Sequence, residues 1–137
     1  MKEQSFSESD KLEGAQVMQR LFFEQYSHEP FIDTSRFWYL TGKAQEDREA
    51  LKQKQAPGYG ALAVMEQHLA NHAFFTGDRY TIADIGLFAY THVAGEGGFD
   101  LTRFPAIQIW INRGKNQPRY IKIYYMSRTL PSPFSVV

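Results

Sequence analysis

The sequence predicts an all-α protein, a helical bundle of four to five helices around one core. Apolar residues recur at the three- and four-residue spacing of helices in several segments. A helix-start signature stands at Thr81-Ile-Ala-Asp84, and glycines and prolines lie where helices are expected to begin or end. With 43% hydrophobic and 15% aromatic residues, the 137-residue chain is long enough for one core and too short for two.

The first helix is predicted to begin at residues 9–10 and to run toward Leu40. Pro30 lies within it and predicts a kink, because its ring and missing N–H disrupt the hydrogen-bond ladder. Thr41 and Gly42 are expected to end the helix. The helical spacing is carried by Leu12, Ala15, Met18, Phe22 and Tyr26.

The second helix follows a charged stretch, residues 43–54, and is predicted to carry Leu62, Met65 and Leu69. Pro57 either breaks this helix or bends it. The central helix, residues 82–94, is apolar on nearly every side, so we expect other helices to surround it.

A fourth helix is predicted to begin at Pro105, since proline is favoured in the first turn, and to end before Gly114. A short fifth helix is expected within residues 117–126. The resulting division of the chain is a polar leader, a helical domain and an irregular tail, at residues 1–10, 11–126 and 127–137.

The start of the central helix has the pattern of a capping box. The Thr81 hydroxyl is expected to accept from the Asp84 N–H, and the Asp84 carboxylate to accept from the Thr81 N–H. Tyr80 is expected to pack on Ile85 as a hydrophobic staple. Polar residues in such an apolar helix more often stabilise the fold than perform chemistry.

Charge and composition exclude several classes of function. The chain has 15 basic and 15 acidic residues, with no long run of one sign, which argues against nucleic acid or an anionic membrane as the main partner. It contains no cysteine, which excludes disulfides, thiolate metal sites and a cysteine nucleophile. No apolar stretch approaches a membrane span or a signal peptide, so we expect a cytoplasmic protein.

Two other patterns suggest sites but have simpler explanations. His68 and His72 share a helical face, yet no further metal ligand is near them in sequence, so we interpret them as packing or surface residues and expect no metal site. The glycines at 95, 97 and 98 lack the spacing of a dinucleotide-binding loop and follow a helix, so we interpret them as a helix stop.

The segment 26–36 is the best candidate for a binding site. A phenol, an imidazole, a carboxylate and a guanidinium surround the proline kink, and the kink turns their side chains in different directions. The alternative is that these residues form exposed pairs, Glu24 with His28 and Glu29 with Arg36 or a partner subunit.

Several segments resemble the all-helical C-terminal domain of glutathione S-transferases. The resemblance is carried by Phe75-x-Gly77, Thr81-Ile-Ala-Asp84 and the stretch Phe104-Pro105-Ala106-Ile107-x-x-Trp110. Residues 21–30 are similar to the first helix of that domain in many bacterial members. The match runs from about residue 12 to residue 123 and is specific for the domain rather than for an activity.

The resemblance implies a parent reaction and a set of residues. In the family, the glutathione thiolate attacks an apolar electrophile, with glutathione as co-substrate and no tightly bound cofactor. The helical domain lines the electrophile pocket, and it contains no catalytic residue that we can assign. The residues that the resemblance places at this pocket are Tyr26, His28, Phe31, Arg36, Tyr90 and His92, with Tyr120, Tyr124 and Tyr125 as further aromatic candidates.

One position departs from the family pattern. In bacterial beta-class relatives, a histidine at what resembles the His28 position lies near the glutathione sulfur, and the next residue is usually basic. This chain has Glu29 there. A carboxylate disfavours a neighbouring thiolate, which weakens the case that the pair stabilises the thiol anion.

The resemblance also implies a partner. In complete transferases, a thioredoxin-like α/β domain carries most of the glutathione site, and no pattern of that domain precedes Leu12. We therefore expect little transferase activity from this chain alone, a thioredoxin-like domain supplied in cis or in trans, and a homodimer. The alternatives are an interaction module without catalysis and an inactive truncated domain.

Overall fold

The computed structural model describes residues 8–118 and 120–121, and every regular element within them is helical. Counting α1 and α2 as one bent helix, these residues contain five α-helices, which confirms the predicted all-α bundle. The elements are α1 (Glu8–Phe23), a π-helical turn (Glu24–His28), α2 (Glu29–Leu40), α3 (Lys43–Glu46), α4 (Arg48–Leu69), α5 (Ile82–Thr91), two 3₁₀ turns (Ala94–Gly97 and Leu101–Arg103) and α6 (Pro105–Lys115).

The bend in the first helix lies just before Pro30 rather than at it. Residues 24–28 form a π-helical turn, and the Glu29 N–H bonds to the carbonyl of Glu24, five residues back. A proline ring clashes with the carbonyl four residues before it, here that of Tyr26. A wider turn relieves this clash, so the disturbance falls on the residues that precede the proline.

The apolar stripe of α1 forms a helical face, as its spacing predicts, but the face points to solvent. Leu12, Met18, Phe22 and Tyr26 are all exposed. The core side of α1 is formed by half-buried residues that include Val17. We call the four exposed side chains the α1 stripe.

The end of α2 is as the sequence predicts, but the charged stretch 43–54 is helical, because it contains α3 and the first turns of α4. Gly42 has a φ of +82°, the left-handed conformation that ends a helix. Asp47 caps α4, where its carboxylate accepts from the Ala50 N–H at 2.9 Å. The helix continues through Pro57 to Leu69, so the proline does not break it.

The core is formed mainly by α4, α5 and α6, with α2 packed against α4. Trp110 of α6 is fully buried and meets the rings of Phe75 and Phe88 edge-on, at centroid distances of 5.2 and 5.8 Å. The other fully buried apolar side chains are Ile32, Leu62, Met65, Ala83, Leu87, Ala94 and Ile107.

The capping box at the start of α5 is confirmed, and its acidic residue does more than cap the helix. Asp84 Oδ2 accepts from the Thr81 N–H at 3.0 Å. Its other oxygen, Oδ1, accepts from the Phe75 N–H at 3.1 Å and from the Trp110 Nε1–H at 2.9 Å. One fully buried carboxylate therefore connects the turn before α5, the first turn of α5, and α6.

The prediction that other helices surround α5 on every side is wrong for one face, and the helix is shorter than expected. Ile82 and Ile85 are 59% and 56% exposed, whereas Ala83, Leu87 and Thr91 are buried. The helix ends at Thr91, and a 3₁₀ turn replaces its last predicted turn. Hydrophobic composition did not reveal which face the neighbouring helices leave open.

The glycine-rich stretch ends this region as predicted and also allows a close approach between elements. Gly98 has a φ of +81°. A Cβ on Gly97 would lie 3.0 Å from the backbone nitrogen of Arg36, so only glycine permits this turn to pack against α2. The predicted leader is wrong for residues 8–10, because α1 already begins at Glu8. Residues 117, 118, 120 and 121 are not helical, which contradicts the start of the predicted fifth helix. The rest of that helix, residues 1–7 and the predicted tail lie outside the described residues.

We predict that Asp84→Asn lowers the free energy of unfolding by roughly 2–4 kcal/mol. An amide offers one acceptor oxygen and places an N–H₂ group against donors, which leaves buried N–H groups unpaired. The measurement is urea unfolding, monitored by tryptophan fluorescence. The urea concentration at the midpoint is compared between variants whose m values, the dependence of the unfolding free energy on urea, are equal.

Asp47→Asn is the matched control for this experiment. It makes the same chemical change at an exposed helix cap, where asparagine caps almost as well as aspartate, so the change should stay within about 0.5 kcal/mol. Equal effects of the two substitutions would contradict the role assigned to Asp84.

Candidate functional site

The π-helical turn separates the side chains of segment 26–36, as the kink was expected to do. Tyr26 is 78% exposed and belongs to the α1 stripe, whereas His28 has no exposed surface. Phe31 and Arg36 are half-buried on α2. The structure therefore does not bring Tyr26 and His28 to one surface.

His28 is held inside the domain by α5. Its Nε2 lies 2.8 Å from Thr91 Oγ1, and that hydroxyl donates to the carbonyl of Leu87 at 2.6 Å. Because the threonine proton is already committed, the imidazole must donate from Nε2, and Nδ1 carries the lone pair. Nδ1 is buried without a hydrogen-bond partner among the described residues, and burial lowers the pKa of His28 to about 4.

The exposed pairs considered from the sequence are not the pairs that form. Arg36 Nε donates to Glu96 Oε2 at 2.6 Å, across to the 3₁₀ turn after α5, instead of meeting Glu29. Glu29 accepts from Gln25 Nε2 at 3.4 Å. His28 bonds to α5 rather than to a glutamate of its own helix.

Tyr90 and His92 lie near different neighbours, although both were assigned to one pocket. The His92 ring stacks on Phe88 at 4.6 Å, and its Nδ1–H donates to the Phe88 carbonyl at 2.7 Å. Phe88 in turn meets Tyr120 edge-on at 5.8 Å. Tyr90 instead lies near carboxylates of the α1–α2 region. Burial, followed by the charges of these carboxylates, raises the pKa of its phenol.

Three carboxylates and the Tyr90 phenol form an acidic group, consisting of Glu24, Glu29, Asp33 and Tyr90. Burial, followed by the charges of Glu29 and Asp33, raises the pKa of Glu24. Burial, followed by the charges of Asp33, Glu29 and Glu24, raises the pKa of Tyr90. Burial also raises the pKa of Asp33, and Arg36 partly opposes this. A ligand beside Tyr90 would therefore meet negative potential.

Three residues that shape this region were not predicted from the sequence. Asp33 stands one helical turn after Glu29, and that spacing was the available signal. Glu96 is the charged residue of the glycine-rich stop, which was interpreted only as backbone. Thr91 lies 63 residues from His28, and no local pattern indicates that pairing.

His68 is half-buried and His72 is exposed, which agrees with their interpretation as packing or surface residues. Their rings stack at 4.3 Å, and His68 also stacks on Phe75 at 5.4 Å. His68 Nδ1 accepts from Arg20 at 3.1 Å, and its Nε2 donates to the Phe74 carbonyl at 3.1 Å. With both nitrogens engaged, His68 links α1 to the turn before α5.

The described residues offer neither a metal-binding cluster nor a membrane-spanning helix. Residues 8–118 and 120–121 contain no group of three or more histidine, aspartate or glutamate side chains placed to hold a metal ion. Within the same residues, every helix is too short or too polar to cross a lipid bilayer.

Comparison with known proteins agrees with the fold. The family described as the glutathione S-transferase C-terminal domain matches residues 18–118. The chain is similar to the crystal structure of a glutathione S-transferase from Pseudomonas fluorescens Pf-5, with 47% identity and a TM-score of 0.80 over 85% of this chain and 59% of that one.

Two further crystal structures are similar. A glutathione S-transferase from Xanthobacter autotrophicus Py2 shows 44% identity and a TM-score of 0.76, over 78% of this chain and 53% of that one. A possible glutathione S-transferase from Rhodopseudomonas palustris shows 36% identity and a TM-score of 0.80, over 92% of this chain and 58% of that one.

The chain therefore belongs to the glutathione S-transferase C-terminal domain family. It spans between 53% and 59% of the length of the three solved structures. Members of the family use glutathione as co-substrate and commonly form dimers.

We predict that His28 makes the domain sensitive to acid. Its folded pKa of about 4 lies below the ordinary value of 6.5, so the unfolded chain takes up the proton first as pH falls. The free energy of unfolding is highest above pH 6.5. It should fall by about 3 kcal/mol in all as the pH drops toward 4. The measurement is urea unfolding at several pH values.

His28→Gln should flatten this dependence, because glutamine does not titrate. The slope of unfolding free energy against pH is compared, so a lower stability of the variant at every pH does not affect the result. An unchanged slope in the variant would contradict the assignment.

Proposed function

We propose that this chain is the electrophile-side helical domain of a glutathione transferase. The observation that carries the proposal is the 47% identity to the Pseudomonas fluorescens transferase over 85% of the chain. The parent reaction is attack of the glutathione thiolate on an electrophilic carbon, which forms a carbon–sulfur bond and displaces a leaving group or adds across an activated double bond.

The surface that suits an apolar electrophile lies where α2 and α5 meet. Tyr90 supplies an aromatic wall with a polar tip there. Phe31 lies on the face of α2 that meets α4, where its Cβ is 3.4 Å from the position that a Cβ on Gly58 would take, so it is not part of this surface. Arg36 is oriented by Glu96 at its edge. His28 lies behind this surface, where its bond to Thr91 fixes α5 against the π-helical turn, so it supports the surface rather than contacting a ligand. Tyr26 belongs to the α1 stripe and His92 packs on Phe88, so neither is part of this surface.

Glutathione itself is expected to be held by a thioredoxin-like domain, in the same polypeptide or in another. The buried, neutral His28 and the acidic group around Tyr90 offer a thiolate no positive charge. The helical domain alone should therefore conjugate little or nothing. Its contribution is to bind and orient the electrophile.

A second candidate function is protein association without catalysis, and the α1 stripe favours it. Four large apolar side chains on one exposed helical face are unusual for a monomer. The occupant we expect is a second copy of the chain, in a two-fold arrangement that sets stripe against stripe. Such a homodimer is compatible with either function.

The transferase proposal predicts activity once the missing half is supplied. The part of the Pseudomonas fluorescens transferase outside its matched region, fused ahead of this chain, should conjugate glutathione to 1-chloro-2,4-dinitrobenzene, whereas the 137-residue chain should not exceed the no-protein rate. In the fusion, Tyr90→Ala should raise KM for the electrophile about tenfold, because it removes the aromatic wall.

The control is Ile109→Ala, which truncates an exposed residue of α6. It should leave both KM values unchanged, and Tyr90→Ala should leave KM for glutathione unchanged. A folded but inactive fusion, or equal effects of the two variants, would contradict the proposal.

The association candidate predicts a dimer that depends on the α1 stripe. Sedimentation equilibrium of the 137-residue chain should give twice the monomer mass, and Phe22→Asp should give the monomer, because it places a charge in the apolar contact. Ile109→Asp makes the same change on another exposed face and should leave the dimer intact. A monomeric parent chain at high micromolar concentration would exclude this arrangement.

A further inference from the structure

His68 joins α1 to the turn before α5 through both nitrogens of its ring. Arg20 Nη2 of α1 donates to His68 Nδ1 at 3.1 Å, and His68 Nε2 donates to the Phe74 carbonyl at 3.1 Å. An arginine side chain has donors but no acceptor, so Nδ1 must accept and cannot carry a proton. The contact therefore requires a neutral imidazole with its proton on Nε2.

The Arg20 guanidinium at the other end of this bond is partly buried. Its Nε is buried without a hydrogen-bond partner among residues 8–118 and 120–121. Its central carbon lies 5.8 Å from the centre of the Phe75 ring. A buried donor that loses its acceptor is costly, whereas the same donor in water is not. Without the bond to His68, the guanidinium is therefore more stable in solvent than in its present position.

The groups that face His68 come from α1, α4, the turn and α5. Burial is the largest cause that lowers the pKa of His68, and the charges of Arg20 and of the stacked His72 lower it further. The Phe74 carbonyl and the Asp84 carboxylate oppose this change. Both oxygens of Asp84 already accept hydrogen bonds from other groups. A proton on Nδ1 would thus stand beside the Arg20 cation without a carboxylate bonded to it.

We propose that His68 is an acid-sensitive switch that controls the attachment of α1. Uptake of a proton from solvent at Nδ1 turns this acceptor into a donor, so the bond from Arg20 breaks and two cations face each other. The N-terminal half of α1, residues 8–20, then opens from the bundle, whereas the core between α4, α5 and α6 stays closed. Leu12 and Met18 of the α1 stripe lie on this half, so the switch also controls whether that stripe is a rigid face.

A second arginine link between α1 and the same loop contains no imidazole. Arg79 Nε and Nη2 each donate to a carboxylate oxygen of Glu13 at 3.1 Å, and the Arg79 side chain is 75% exposed. From α6, Arg113 donates to the Ala73 carbonyl of this loop at 3.2 Å. The Glu13–Arg79 pair thus attaches α1 without the proton dependence of the His68 contact, which makes it the natural comparison.

Two measurements on the 137-residue chain test the proposal. NMR titration of the His68 ring protons should give a pKa below the ordinary 6.5. Hydrogen exchange, corrected for the intrinsic effect of pH, should show at least about threefold more opening of residues 12–20 at about pH 5 than at about pH 7.5, relative to residues 107–114 of α6. This ratio cancels the acid effect of His28, because unfolding of the whole domain opens both helices.

Two matched substitutions assign the effect to the Arg20 bond. Arg20→Met removes the guanidinium and keeps an apolar stem beside Phe75. The pKa of His68 should then rise, and the opening of α1 should largely lose its pH dependence, because protonation no longer breaks a bond. Arg79→Met makes the same chemical change in the other link. It should raise the opening of α1 by the same factor at both pH values and leave the pKa of His68 unchanged.

Three results would overturn the proposal. They are a His68 pKa at or above 6.5, an equal increase in the opening of α1 and α6 on acidification, and the same pH dependence of α1 opening in Arg20→Met as in the parent chain. The first two are measured on the parent chain, so the test does not require either variant to fold.

Discussion

The rest of the structure depends on the buried carboxylate of Asp84. A carboxylate without water is costly unless donors surround it, and here the donors come from three separate parts of the chain. The Thr81 N–H belongs to the first turn of α5, the Phe75 N–H to the turn before it, and the Trp110 indole to α6. Satisfying one charge therefore fixes the start of α5 relative to α6.

Because the start of α5 is fixed, its C-terminal end packs against the π-helical turn. Thr91 there accepts from His28, whose other nitrogen has no partner among the described residues. The 3₁₀ turn that follows α5 packs against α2, where Gly97 leaves room for the Arg36 backbone and Glu96 holds the Arg36 side chain. The candidate electrophile surface is thus built by long-range contacts around a rigid central helix.

The domain presents two exposed apolar faces. The α1 stripe faces away from the bundle, and Ile82 and Ile85 form an exposed face on α5. The region around Tyr90 differs from both, since carboxylates of the α1–α2 region surround its phenol. Membership of the glutathione S-transferase C-terminal domain family accounts for the fold.

The sequence by itself determined the features that depend on near neighbours along the chain. The capping box joins residues three apart, Gly42 ends α2 through its own backbone conformation, and helical spacing assigned the helices. Spacing shows which residues share a face but not where the neighbouring helices lie, so the exposure of Phe22 and Ile85 was decided by the tertiary structure. The bonds from His28 to Thr91 and from Arg36 to Glu96 join residues 63 and 60 positions apart, and only the packed helices bring such residues together.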